Sequence, residues 1–191
     1  MFRRSVRATR GERRQPVPGD ALIPAAVGSL THAITIRAPA GAVWPWLAQM
    51  GAGCRAGWYS YDRLDNGGRP SADRLVPEWQ AIEAGTLFPA SPGATEGFHV
   101  LQCDAGKSLV LGWAPPGGAP WMTWAFHLRS VDQETTRLVV RARGGPDYPF
   151  YGLPRRLGLP VIRLVHFIMS RKQLLGIARR AETELKVRCS G

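Results

Sequence analysis

The sequence predicts an α+β domain in which one face of a curved antiparallel sheet is covered by a single long C-terminal helix. Three observations carry that prediction. Four segments between residues 98 and 143 alternate apolar and polar side chains and are separated by short turn-forming stretches. The segment from Pro160 to about Leu185 repeats apolar residues at helical spacing. The chain has 191 residues, 45% hydrophobic and 20% charged, which suits one core-forming domain plus an arm. No run of about 18 apolar residues is present to span a bilayer.

Taken in order, residues 1–29 read as a flexible basic arm, with six Arg against Glu12 in its first 19 positions. The apolar stretch that follows, Ala21 to Val27, is short and broken by Pro24, which argues against a secretory signal. Thr31 to Arg37 alternates, with His32, Ile34 and Ile36 on one face, and is the first strand. Val43, Trp46, Leu47 and Met50 then recur at helical spacing until Gly51, with Pro45 as a kink, and a second short helix is expected around Ser60 to Leu64.

A short strand near Thr86 to Phe88 precedes the four longer ones, Phe98 to Cys103, Ser108 to Trp113, Trp121 to Arg129 and Thr136 to Arg143. Met122, Trp124, Phe126 and Leu128 share one face, as do Leu138, Val140 and Ala142, so each strand has one dry face in need of a cover. The terminal helix supplies it, with Pro160 suited to the first turn. On a wheel, Leu164, Phe167, Ile168, Leu174, Leu175, Ala178 and Leu185 fall in one arc, and His166, Ser170, Gln173 and Arg180 lie largely opposite. Arg171 falls inside the apolar arc, where it needs a carboxylate, a ligand or water. Residues 30–186 form the expected domain and 187–191 a tail.

The formal charge is +11, distributed as +5 over residues 1–19, −2 over 20–140 and +8 over 141–191. A nucleic-acid groove wants basic side chains gathered beside base-reading or stacking groups, so no nucleic-acid partner is expected. Cys54, Cys103 and Cys189 are an odd count without CxxC spacing, and His32, His99, His127 and His166 are scattered. Neither a disulfide framework nor a metal site is indicated, and a cytoplasmic location is the plain reading. Phosphate-binding loops and nucleophile elbows are absent, and no cofactor is expected.

The local wording is more specific. Val43-Trp44-Pro45-Trp46-Leu47-Ala48-Gln49-Met50-Gly51, Gly57-Trp58-Tyr59-Ser60-Tyr61-Asp62, Ser71-Ala72-Asp73-Arg74-Leu75-Val76-Pro77-Glu78-Trp79 and His166-Phe167-Ile168-Met169-Ser170-Arg171-Lys172 resemble a bacterial branch of the START-related, SRPBCC or polyketide cyclase-like superfamily. The resemblance runs from about residue 30 to 184. It implies the helix-grip fold, a curved antiparallel sheet wrapped around a long C-terminal helix with two short helices near the N-terminus. It also implies a deep, mostly apolar cavity between sheet and helix, and it names no reaction.

All seven tryptophans lie between residues 44 and 124. Core packing accounts for any one of them; alternatively Trp58, Tyr59, Trp79, Trp113, Trp124, Phe126 and Ile168 line a cavity, with Arg171 toward Glu78 or a polar head of the ligand. Tyr59, Asp62, Glu78 and Arg171 are the candidate catalytic groups, set against plain capping and ion-pair roles. Tyr148, Phe150 and Tyr151, with Arg155, Arg156 and Arg163 at the helix start, could also touch an anionic bilayer weakly, or form the solvated face of a core helix. The leading expectation is binding or transport of a small apolar or amphipathic molecule. The alternatives are a cofactor-free cyclase or aromatase that works by positioning and acid–base help, and a membrane-surface or partner-binding module.

Overall fold

The structure, a computed structural model, describes residues 4–115, 117–148 and 155–190, the last without the side chains of 155–157, 159 and 186–190. Six antiparallel strands form one sheet: β1 (Gly28–Ile36), β2 (Leu87–Pro89), β3 (Gly97–Asp104), β4 (Ser108–Trp113), β5 (Met122–Ser130) and β6 (Thr136–Gly144). Their order across the sheet is β1-β6-β5-β4-β3-β2. Sequential hairpins build β2 through β6, and β1 then closes the far side by pairing Ile34 with Leu138 and His32 with Val140. A register shift between Val100 and Gln102 marks a bulge in β3, a device that bends a strand and increases its twist.

Between β1 and β2 lie α2 (Ala40–Ala48), a single turn α3 (Asp62–Asp65) and a well-bonded irregular segment. Pro45 sits inside α2 without ending it, and Val43, Trp46 and Leu47 are buried against the sheet. The final helix, α4, runs Arg155–Ser190. It therefore starts before Pro160, which lies inside it, and it extends through most of the expected tail. The inner core joins Ile34, Ile36, Phe126, Leu128, Leu138 and Val140 of the sheet to Leu174, Ile177, Ala178 and Ala181 of α4.

The face that α4 turns to the sheet differs from the wheel in its first half. Ser170 and Gln173 are buried, while Leu164 is 61% exposed and Ile168 43% exposed. The physical reason is position: this half of α4 passes over a cleft rather than a filled core, so polar side chains can face inward if they find partners there. Farther along, the wheel and the structure agree, and Leu174 and Ala178 are fully buried. There α4 comes so close to the loop that a β-carbon at Gly176 would lie 2.5 Å from the Tyr59 carbonyl oxygen.

The arm expected to be flexible is built into the fold. A short helix, α1 (Arg10–Arg14), begins at Thr9 with a reciprocal box, in which Thr9 Oγ1 accepts from the Glu12 amide and Glu12 accepts from the Thr9 amide. Val6, Ala8 and Val17 are buried, and Ala8 and Val17 pack on Ala33 and Val139, so the outer face of β1 and β6 is dry as well. Glu12 pairs with Arg137 at 2.7 Å, and Asp20 pairs with Arg141 at 2.6 Å. Glu182 of α4 accepts from the Arg37 amide and pairs with Arg4, which ties the arm to the helix side of the molecule.

Candidate functional site

The core stops short of the first half of α4. Beyond Phe126 the inner face of the sheet continues as Trp124 and Met122, with Trp113 and Phe98 beside them, and α4 presents Ile162, Val165, His166 and Met169 across the gap. The space left is a cavity of about 520 Å³, partly open to solvent. A smaller pocket of about 90 Å³, sharing Met122, Tyr148, Ile162 and His166, continues it along β1 and β6. The walls are mostly aromatic and aliphatic; Glu96 borders the larger cavity, and Arg143 and Arg163 border the smaller one.

The aromatic wall is rigid because its rings brace one another. Trp58 stacks on Trp124 at 5.5 Å between centroids, and Phe98 meets Trp113 edge to face at 5.2 Å. Trp58 and Phe126 are buried behind this wall rather than lining the cavity, Phe126 backing Trp124 from the core side.

His166 is the titratable group that α4 places in the lining of the larger cavity. His166 Nδ1 lies 3.3 Å from His32 Nε2 on β1 and 3.2 Å from Ser170 Oγ one turn along α4. Burial, reinforced by the neighbouring His32, pushes the His166 pKa down to about 4, and burial lowers that of His32 as well. Both rings are therefore neutral near pH 7.

A stability prediction follows from the sign of that shift. In the unfolded chain His166 has its ordinary pKa near 6.5 and takes up a proton first, so stability is full above about pH 6.5 and falls as pH drops toward 4, by about 3 kcal/mol from this residue. Denaturant unfolding of the wild type at pH 7, 5.5 and 4.5 should show that loss, and His166→Phe should flatten most of it. Equal slopes in both proteins would contradict the assignment. Glu12, held down to about 2 mainly by its hydrogen bonds from Arg137, contributes stability that is lost in a separate window, below about pH 4.5.

The other residues singled out by sequence lie elsewhere. Tyr59 is buried with a φ of +58°, its ring under the Arg180 guanidinium at 4.5 Å and its hydroxyl accepting from Gln49 at 3.0 Å. Burial raises its pKa strongly, against the opposing effects of Gln49, Arg180 and Arg55. It does not reach the cavity. Gln49 is the hub of this segment: its side chain also donates to the Arg74 carbonyl and accepts from Val76 and Gln80. Asp62 accepts from Ser71 Oγ at 2.5 Å, a local bond that holds the loop.

Glu78 is exposed on a short 3-10 turn, and Trp79 packs at the edge of the core beneath it. Ile168 points outward. Arg171 lines a separate polar cleft that Tyr59 and Asp62 also border, together with Ser60, Lys172 and Arg179, and it meets neither the apolar cavity nor Glu78. A side chain inside the wheel's apolar arc faces solvent here because that arc itself faces outward. Of the sequence candidates, the cavity wall brings together Trp113 and Trp124, backed by Trp58 and Phe126. Sequence reasoning missed Phe98, Met122, Ile162, Val165, His166 and Met169. The signal for His166 was present, since His32 shares a strand face with Ile34 and Ile36 and needs a partner across the core.

No protein-family model matches the chain, and no curated protein sequence matches it. Solved structures do. The chain is similar to the polyketide cyclase-like protein Cgl2372 from Corynebacterium glutamicum, with 16% identity over 82% of this chain and 93% of that one, at a TM-score of 0.50. The aromatase/cyclase ZhuI from Streptomyces sp. R1128 matches 83% of this chain with 95% of its own, at 16% identity and a TM-score of 0.41. The first of these likenesses shows the fold: a curved antiparallel sheet with a long C-terminal helix, the helix-grip architecture.

Proposed function

We propose that the chain binds a small apolar or amphipathic molecule in the cavity between α4 and the sheet, as a carrier or sequestering protein. The observation that supports this reading most is the cavity itself: about 520 Å³, walled by Phe98, Trp113, Met122, Trp124, Ile162 and Val165, inside the range of about 300–1,000 Å³ typical of small-molecule sites. Braced aromatic rings offer contact area at small cost in side-chain entropy.

Of the groups assigned to the cyclase-like alternative, Tyr59, Asp62 and Arg171 border a separate polar cleft and Glu78 is exposed on a short turn, so the apolar cavity itself supports the binding reading rather than that one. The membrane-surface alternative draws on one specific feature. Val161, Leu164, Val165 and Ile168 are exposed on α4 next to the cavity, with Arg163 and Lys172 beside them, a surface through which an apolar guest could transfer from an anionic bilayer. Phe150, Tyr151 and the side chains of Arg155 and Arg156, also read as part of that face, lie outside the described residues.

Native mass spectrometry of the purified chain tests the binding reading. The expected result is a population heavier than the bare chain that loses one defined organic mass on denaturation. A bare chain that also takes up no added apolar compound would end it.

A further inference from the structure

Two ring nitrogens of the cavity wall are buried and have no hydrogen-bond partner among the described residues: Trp124 Nε1 and His166 Nε2. Both side chains line the cavity, and their ring centroids are 6.4 Å apart. Buried polar groups without partners are rare in folded proteins, because each forfeits the hydrogen bond it made to water.

The chemistry of each nitrogen can be assigned. An indole N–H only donates. His166 is fixed from its other side: the Ser170 hydroxyl is buried, and His166 Nδ1, 3.2 Å away, is its only acceptor among the described residues. With Ser170 Oγ–H and His32 Nε2–H both directed at Nδ1, the arrangement inferred here, the proton of the neutral imidazole sits on Nε2. The wall thus presents two N–H donors close together, without an acceptor among the described residues, in a mostly apolar lining.

We propose that Trp124 Nε1–H and His166 Nε2–H form an acceptor subsite, and that the guest is a flat, largely apolar molecule with a carbonyl or similar neutral acceptor oxygen at that end. His32 and Ser170 are positioning residues that keep the imidazole in its donor form. This rests on the cavity being a ligand site. It adds to that reading the feature of the guest that is recognised: two uncharged donors select an acceptor oxygen over a hydrocarbon edge.

The test uses 9-fluorenone and fluorene, two flat probes of nearly the same shape that differ by a carbonyl in place of a methylene. Binding is read by quenching of tryptophan fluorescence, and the ketone by its infrared carbonyl stretch. Wild-type protein should bind fluorenone about tenfold more tightly than fluorene, with the stretch moved to lower frequency in the complex. His166→Phe, which keeps a ring and removes the donor, should erase that preference. Trp124→Phe and Ser170→Ala should each reduce it.

If either ring variant fails to fold, the wild-type preference and the infrared shift still decide the matter. Equal affinities for the two probes, or an unshifted carbonyl, would overturn the subsite while leaving the cavity as a binding site. Binding of neither probe would overturn both the subsite and the proposed function.

Discussion

Arg141→Ala should lower the free energy of unfolding by about 3–5 kcal/mol, the range for removing one partner of a buried, hydrogen-bonded ion pair. Arg141 is 4% exposed and points away from the cavity, to the outer face of β6. Its guanidinium donates to Thr31 Oγ1, to the carbonyls of Glu12, Arg13 and Gln15, and to the Asp20 carboxylate. Truncation leaves those acceptors buried or half-buried without it, and Asp20 keeps only the Val17 amide at 3.0 Å and a longer contact to Arg143 at 3.7 Å. Arg141→Lys should rescue little, because one ammonium cannot reach five acceptors in a planar fork. Urea unfolding measures the loss, and limited trypsin digestion should cut the variant first within residues 4–27. A change below about 0.5 kcal/mol, the range of ordinary surface substitutions, would mean that the arm is not part of the folded unit.

The sheet was legible in the sequence because half-buried strands write their faces as a period of two. Trp124, Phe126 and Leu128 on one side of β5, and Leu138 and Val140 on one side of β6, occupy the inner face as that period requires. The arm was not legible by the same rule, since it folds on arginines. Its apolar contacts are few, and the partners of its charges, Arg137 and Arg141, lie more than a hundred residues away. One local signal was available: Thr9 followed three residues later by Glu12 is the pattern of a helix start, and α1 begins there.

The site was less legible than the fold, for a reason that lies in the cavity. A wheel finds the buried face of a helix by assuming that apolar means inward, which holds where α4 meets the filled core at Leu174 and Ala178. Over a cavity the assumption fails. His166, Ser170 and Gln173 turn inward, where His166 finds His32 and Gln173 Nε2 lies 3.7 Å from Met50 Sδ, and Leu164 and Ile168 turn out. Arg171, assigned inward with that arc, is outside for the same reason. In the segment from Gly51 to Gln80, aromatic and acidic residues resembled a catalytic cluster, yet Gln49, Tyr59 and Arg180 use them to fasten the loop to α2 and α4.

Filling the cavity without disturbing the core should separate guest binding from folding. Ile162 faces both the larger cavity and its smaller extension, and it lies outside the packed interior that holds α4 to the sheet. An indole at this position, where the two pockets meet, intrudes on the space that a guest would use at that junction. The folded state tolerates it because the space is otherwise unfilled, so stability should change by less than about 1 kcal/mol rather than by the 1–3 kcal/mol of overpacking a filled core.

The measurement that bears most directly on the account is a titration of the wild type and Ile162→Trp with Nile red, an uncharged dye whose emission shifts to the blue in apolar surroundings. The wild type should saturate at one dye per chain with a blue shift, and Ile162→Trp should bind at least about tenfold more weakly at nearly unchanged unfolding free energy. Wild-type protein that leaves the dye in water, or a variant that binds it as tightly as the wild type, would contradict a ligand cavity between α4 and the sheet.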